Sequence, residues 1–255
     1  MLLTVDVGNT EIKLGVYADG DTEPRHHWRL MTDARRTGDE FVSLLAQLFA
    51  FDAFDPKSIR DVVIASVVPR VETALVDCIE HLVKRSPRFL RSNEQTIMSV
   101  VTDRPAEVGS DLVALAIGAR ARYGAPLIVV SYGTATVFTA IDEHGAFAGA
   151  AIAPGIATSV DALIGRTAKL PQVALVAPKT AIGRDTMHAL QSGIMFGVVG
   201  QTQALVQRFR DELGSDARVI ATGGLADIVA SHCDIIDAVM PHASFEGLRI
   251  FADRC

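Results

Sequence analysis

The segments Val5-Asp6-Val7-Gly8-Asn9-Thr10 and Val130-Ser131-Tyr132-Gly133-Thr134-Ala135 repeat one pattern at a spacing of 125 residues, about half of a 255-residue chain. Each closes an apolar run, turns on glycine and enters a second run. The first is flanked by Leu2-Leu3-Thr4-Val5 and by the alternating Ile12, Leu14 and Val16. The second is flanked by Leu127-Ile128-Val129-Val130 and by Val137-Phe138-Thr139-Ala140-Ile141. A strand, glycine turn and strand occurring twice at this spacing predict two similar halves, residues 1–118 and 119–255, facing each other across a cleft. A chain of this length buries enough surface to fold without disulfides or metal, so disorder and a disulfide scaffold are excluded.

Composition agrees with an α/β architecture. Apolar residues make up 49% of the chain but aromatics only 6%, leaving Ala, Val, Leu and Ile to form buried parallel strands and helix faces. The charge-free stretch from Tyr123 to Ile141 is long enough to span a membrane by count. Its glycines, Pro126 and hydroxyl residues make it a buried hairpin instead. Met1 leads directly into strand-like sequence with no basic-then-apolar leader, and the expected location is the cytoplasm. The net charge of -6 argues against a nucleic-acid partner. Cys78, Cys233 and Cys255, odd in number and far apart, read as reduced thiols, and the pair His26-His27 reads as surface.

Periodicity predicts further elements. A third strand is expected near His27 to Leu30, and a helix from Asp39 to Phe51 with cap chemistry at Thr37 to Asp39. Val62 to Ala65 reads as a buried strand, and Val71 to Lys84 and Asp111 to Tyr123 as helices. Thr186 to Leu213 is helical with interruptions at Gly193, Gly197 and Gly200. A strand at Val219 to Ala221 and helices at Leu225 to Ser231 and Phe245 to Arg254 complete the chain.

A glycine at a strand end lets backbone N–H groups converge on an anion. Asp6 can hold Mg²⁺ beside phosphates, Asn9 and Thr10 can donate hydrogen bonds, and Lys13 can neutralise phosphate charge. A turn of Gly and Asn is equally an ordinary hairpin, and Asp111 near a helix start is equally a first-turn acid. The glycine pair in Thr222-Gly223-Gly224 adds a third strand-end site, and three such sites suit a nucleotide in a cleft.

These residues also carry a resemblance. Val5-Asp6-Val7-Gly8-Asn9-Thr10 is similar to the first phosphate motif of type III pantothenate kinases, within the actin, Hsp70 and sugar-kinase superfamily. Glu107-Val108-Gly109-Ser110-Asp111, Gly133-Thr134-Ala135-Thr136, Ala153-Pro154-Gly155 and Arg166 to Pro171 resemble further motifs of that family in the right order. So do Ile182 to Thr186, Gln191-Ser192-Gly193 and Ala221 to Leu225. The resemblance implies two duplicated ribonuclease-H-like (actin-like ATPase) domains, a homodimer, and phosphorylation of pantothenate by ATP as the first step toward coenzyme A. It also implies Mg²⁺ and a monovalent cation, K⁺ or NH₄⁺. Carried over by position, Asp6 would hold the metal, and Gly8, Asn9, Thr10 and Lys13 the phosphates. Asp111 would be the catalytic base. Ser131, Gly133 and Thr134 would line the second phosphate site, and Gly223 and Gly224 the adenosine side. Gly109, Ser110, Asp111, Leu112 and Thr186 would contact the substrate.

Two of those positions depart from the family pattern, which has Asp at Ser131 and Arg at Leu112. Ser131 removes a negative charge near the expected metal site. Leu112 removes a planar, bidentate grip on the acceptor. Three readings follow from these losses: a divergent pantothenate kinase with compensation from Arg104 or Arg166, a kinase for another hydroxyl substrate, and a catalytically impaired paralogue with a nucleotide-binding or regulatory role.

Overall fold

The computed structural model describes all residues except Ala168, Lys169, Ser215 and Cys255. The expected thiol at Cys255 and part of the Arg166 to Pro171 motif therefore lie outside the described residues. The chain divides into two compact units, Met1–Arg122 with His242–Cys255, and Tyr123–Pro241.

The first unit opens with β1 (Leu2–Val7), β2 (Glu11–Tyr17) and β3 (His26–Met31), an antiparallel meander. Helix α1 (Gly38–Phe51) follows, its start fixed by a capping box in which the Thr37 hydroxyl accepts from Glu40 N–H and the Glu40 carboxylate accepts from Thr37 N–H. Then come β4 (Asp61–Ser66), parallel to β1, helix α2 (Pro69–Val83) and the short β5 (Arg88–Phe89). The sheet order is β3-β2-β1-β4-β5. Alternation sorts β1 by face: Leu3, Val5 and Val7 join Phe41, Leu45, Leu75 and Ile79 of the two helices in one core, so Thr4 and Asp6 point to the other face. Trp28 closes the edge of the core against Phe49 and Phe54, its indole N–H donating to Asp52 Oδ2 at 2.6 Å. His27 is exposed as expected, whereas His26 is half-buried and stacks on Trp28. Helix α3 (Ser110–Tyr123) completes this part of the unit.

The second unit repeats the plan. Strands β6 (Leu127–Tyr132), β7 (Ala135–Ile141) and β8 (Phe147–Pro154) form a meander, followed by helices α4 (Ile156–Gly165) and α5 (Thr186–Leu213). Strand β9 (Arg218–Thr222) runs parallel to β6, and α6 (Ala226–Ala230) leads to β10 (Ala238–Val239). The sheet order β10-β9-β6-β7-β8 mirrors the first sheet strand for strand. Ile128, Val130 and Tyr132 pack with Val199 and Val206 of α5 and Val229 of α6, and Tyr132 OH bonds Thr202 Oγ1 at 2.8 Å. Helix α5 runs unbroken through Gly193, Gly197 and Gly200, contrary to the expected interruptions. The stretch Tyr123 to Ile141 is the β6–β7 hairpin, and among the described residues no helix is long and apolar enough to cross a membrane.

Helix α7 (Ala243–Arg254) packs on β1 and β4 of the first unit. A divide at residue 118 assigns this helix to the second half, but its apolar residues Phe245, Leu248 and Phe251 cover the first sheet on the Asp6 side. Its approach to α3 is backbone on backbone. A Cβ on Gly247 would overlap the Ala114 carbonyl, and one on Gly118 the Ala243 carbonyl.

Candidate active site

In the first unit, β1 delivers Asp6 to its C-terminal end, 7% exposed, with Ser244 Oγ of α7 donating to Asp6 Oδ2 at 2.8 Å. Lys13 stands directly across the β1–β2 ladder and therefore on the same face. The connection between the strands is tight, with Gly8 N–H donating to Glu11 O at 3.0 Å. The Thr32 hydroxyl donates to Gly8 O at 2.7 Å and Thr32 N–H to Thr10 O at 2.9 Å, so β3 braces the turn. Asn9 and Thr10 are exposed.

The start of α3 is fastened to the end of β4. The Ser110 hydroxyl donates to Ser66 O and accepts from Ser66 N–H, both at 2.9 Å. That fastening sets Asp111, whose Oδ1 accepts Leu112 N–H at 2.8 Å. Gly109 leaves room for that carboxylate, since a Cβ there would overlap Asp111 Oδ1 and push it from this position. Burial, and then the negative charge of Asp6, push the Asp111 carboxyl up to about 6 against the pull of the Leu112 N–H and Lys13. The negative charge of Asp6 and the opposing positive charge of Lys13 both act on Asp111, which marks one electrostatic site. Leu112 is half-buried in the first turn of α3.

The second unit builds its own strand-end group. Ser131 lies beside Thr222 in the β6–β9 register, and Gly133 N–H donates to Ala135 O at 3.1 Å. The Thr134 carbonyl accepts from Gly155 N–H at 3.1 Å and from the Thr158 hydroxyl at 2.8 Å, which pins the turn to the start of α4. Gly133 and Thr134 remain exposed. Gly223 has φ +95° and lies so close to the Tyr132 backbone that a Cβ would sit 2.5 Å from its carbonyl oxygen. Only glycine fits there. Gly224 faces open space. Thr186 is exposed at the first residue of α5 and lines a shallow hollow with Leu170, Gly183 and Arg184. Arg104 pairs with Glu107 at 2.9 Å on the surface.

Each unit thus presents the same device, a glycine turn between the first two strands of a meander with a parallel strand beside it. The chain matches the type III pantothenate kinase family over residues 2–208. It belongs to the type III pantothenate kinase family. A type III pantothenate kinase of Moorella thermoacetica is 42% identical over 100% of this chain and 99% of its own length. One from a Roseiflexus species is 42% identical over 98% and 97%. Among solved structures, a Baf family protein described as a putative transcriptional activator, from Campylobacter jejuni, superposes with a TM-score of 0.62 at 17% identity, covering 98% of this chain and 97% of that one. A putative 2-dehydro-3-deoxygalactonokinase of Sinorhizobium meliloti superposes with a TM-score of 0.59 at 14% identity, covering 99% and 96%. The type III pantothenate kinase assignment and the duplicated sheets agree on an actin-like, sugar-kinase type of ATPase fold.

Sequence reasoning missed Ser244, which reaches Asp6 from 238 residues away, and Ser66, the anchor of Ser110. No local pattern marks either residue. Gly155 stands in the Ala153-Pro154-Gly155 motif, but its place beneath the 133–134 turn becomes visible only in the structure.

Proposed function

We propose that this chain transfers the γ-phosphoryl group of ATP to the hydroxyl of pantothenate. The observation that carries the reading is membership of the type III pantothenate kinase family, and Asp111, a partly buried carboxyl pushed up to about 6 by burial and Asp6, offers the base the reaction needs. A group so poised is ionised near neutrality and basic enough to take a proton. In the proposed step the pantothenate oxygen attacks the γ-phosphorus while its proton passes to Asp111. The new oxygen–phosphorus bond forms as the bond to the β–γ bridging oxygen breaks, and ADP leaves. The Gly8–Thr10 turn and Lys13 would hold phosphate oxygens, with Gly133 and Thr134 offering the equivalent turn in the second unit. Gly223 and Gly224 would line the adenosine side, and Leu112 and Thr186 would contact the acceptor.

Mg²⁺ fits Asp6. Its Oδ2 is taken by Ser244, while Oδ1 carries no hydrogen bond among the described residues. One or two carboxylates plus phosphate oxygens are what this ion takes. Bound there, it would supply charge neutralisation on the phosphates. The monovalent cation is less well served. Ser131 offers a neutral hydroxyl, and the neighbouring Thr222 hydroxyl is committed to Met240 O at 2.7 Å, so no residue is assigned to it.

A homodimer is part of the proposal. Its support is a groove of about 380 Å³ between α4 and α5, lined by Ile156, Leu163, Gly193, Ile194 and Gly197, together with exposed Ile152 on β8 and Phe196 on α5. The free, buried thiols of Cys78 and Cys233 suit action in the cytoplasm.

The test is ADP release coupled to a chromogenic readout, with and without pantothenate. Pantothenate-dependent release that Asp111→Asn abolishes is the expected result. ATP binding by calorimetry with no pantothenate-dependent turnover would refute the proposal.

A further inference from the structure

The C-terminal helix contributes a side chain to the site, and nothing in the kinase reading uses it. Ser244 is the second residue of α7, inside the first turn and past the N-cap position, so its hydroxyl is not a capping group. Its hydroxyl instead donates to Asp6 Oδ2 at 2.8 Å. The flanking residues fix it from both sides: the Ala243 backbone lies against Gly118 of α3, and the Phe245 ring lies against Gly15 of β2. Ser244 is therefore carried by a backbone that cannot shift without breaking two close contacts.

We propose that Ser244 is a positioning residue that fixes the Asp6 carboxylate and presents its second oxygen to the divalent cation of a bound nucleotide. The proposal rests on the kinase reading above. The terminal torsion of an aspartate is broad, so a carboxylate at a strand end has no orientation of its own. A neutral hydroxyl supplies the orientation without consuming the charge, which an arginine or lysine in its place would do. One oxygen is held and the other faces the ligand. The device saves the cation from having to order the carboxylate on binding.

The experiment titrates MgADP into the full-length protein by calorimetry, comparing wild type, Ser244→Ala and Ser244→Thr, with thermal melts of each ligand-free protein. The expected result is about tenfold weaker MgADP binding in Ser244→Ala, the scale of one hydrogen bond to a charged group acting indirectly. Ser244→Thr should stay within about twofold of wild type, and the melting temperatures of all three should agree within a few degrees. In the kinase assay the apparent KM for Mg²⁺ should rise with the alanine variant while the KM for pantothenate holds. Wild-type MgADP affinity in Ser244→Ala would overturn the proposal. Equal losses in both variants with lowered melting temperatures would also overturn it, by making the residue structural. A wild type that binds MgADP but does not phosphorylate pantothenate sinks the kinase reading instead, and the calorimetry still decides Ser244.

Discussion

Replacing Asp111 by Asn separates what the carboxyl does for the reaction from what it costs the fold. The amide keeps the side chain's size and can still accept the Leu112 N–H through its oxygen. It carries no charge to desolvate and none to oppose Asp6, the two causes that raise the carboxyl from 3.8 to about 6. At about 1.4 kcal/mol per unit, the ionised form pays roughly 3 kcal/mol in the folded state as an upper bound. The side chain is only partly buried, and solvent screening reduces this to about 1–2 kcal/mol. The sign follows from proton binding. The folded state holds this proton more tightly than the unfolded chain, so wild-type stability falls as pH rises from about 4 to about 6 and stays lower above it. Asp111→Asn should therefore melt several degrees above wild type at pH 7.5, at about 2–4 °C per kcal/mol, and level with it at pH 4. Pantothenate-dependent turnover should drop by about 10²- to 10⁴-fold. Melts at the two pH values beside the coupled assay check both halves. A variant that melts lower at pH 7.5, or that keeps its turnover, refutes the reasoning.

Four further outcomes are expected. Wild-type kcat/KM should fall below pH about 6, as Asp111 gains its proton, when followed in the coupled assay across pH 5–8. Leu112→Arg should lower the KM for pantothenate by about tenfold or more, the scale of one charge-assisted bond, and adding Ser131→Asp should tighten metal dependence; steady-state kinetics read both. Gly247→Ala forces a methyl into the Ala114 carbonyl and should cost about 3 kcal/mol or more, seen in a urea melt. Gly197→Glu places a charge on the α4–α5 groove and should turn a dimer into a monomer by sedimentation, with little change in the melting of the monomer.

The parts of the fold legible in the sequence are those with strong period or punctuation. The glycine turns, the cap residues at Thr37 to Asp39 and the runs of β1, β6 and β9 all announce themselves. Strand β8 does not, because Phe147–Pro154 is mostly alanine and glycine, residues with weak strand preference, and it is held by its ladder to β7. Strands β5 and β10, two residues each, are too short to show a period. Helix α5 was expected to break at glycines that each cost about 1 kcal/mol, yet tertiary packing of Met195, Val199 and Val206 carries it through. The site divides in the same way. Asp6, Asp111 and the glycines are visible as types at strand and helix ends, while Ser244 and Ser66 act through folding alone.

The return of α7 to the first sheet has a consequence for synthesis. The second unit is one uninterrupted stretch, Tyr123–Pro241, whereas the first is split around it. On the ribosome the Thr4 and Asp6 face of β1 waits for its α7 cover until residues 243–254 emerge, after the whole of the second unit. Of the two units, the first is therefore finished after the second, reversing the usual N-terminal-first order of domain completion. A truncation that spares every residue before His242 would still leave Asp6 without its serine and the first sheet without its cover.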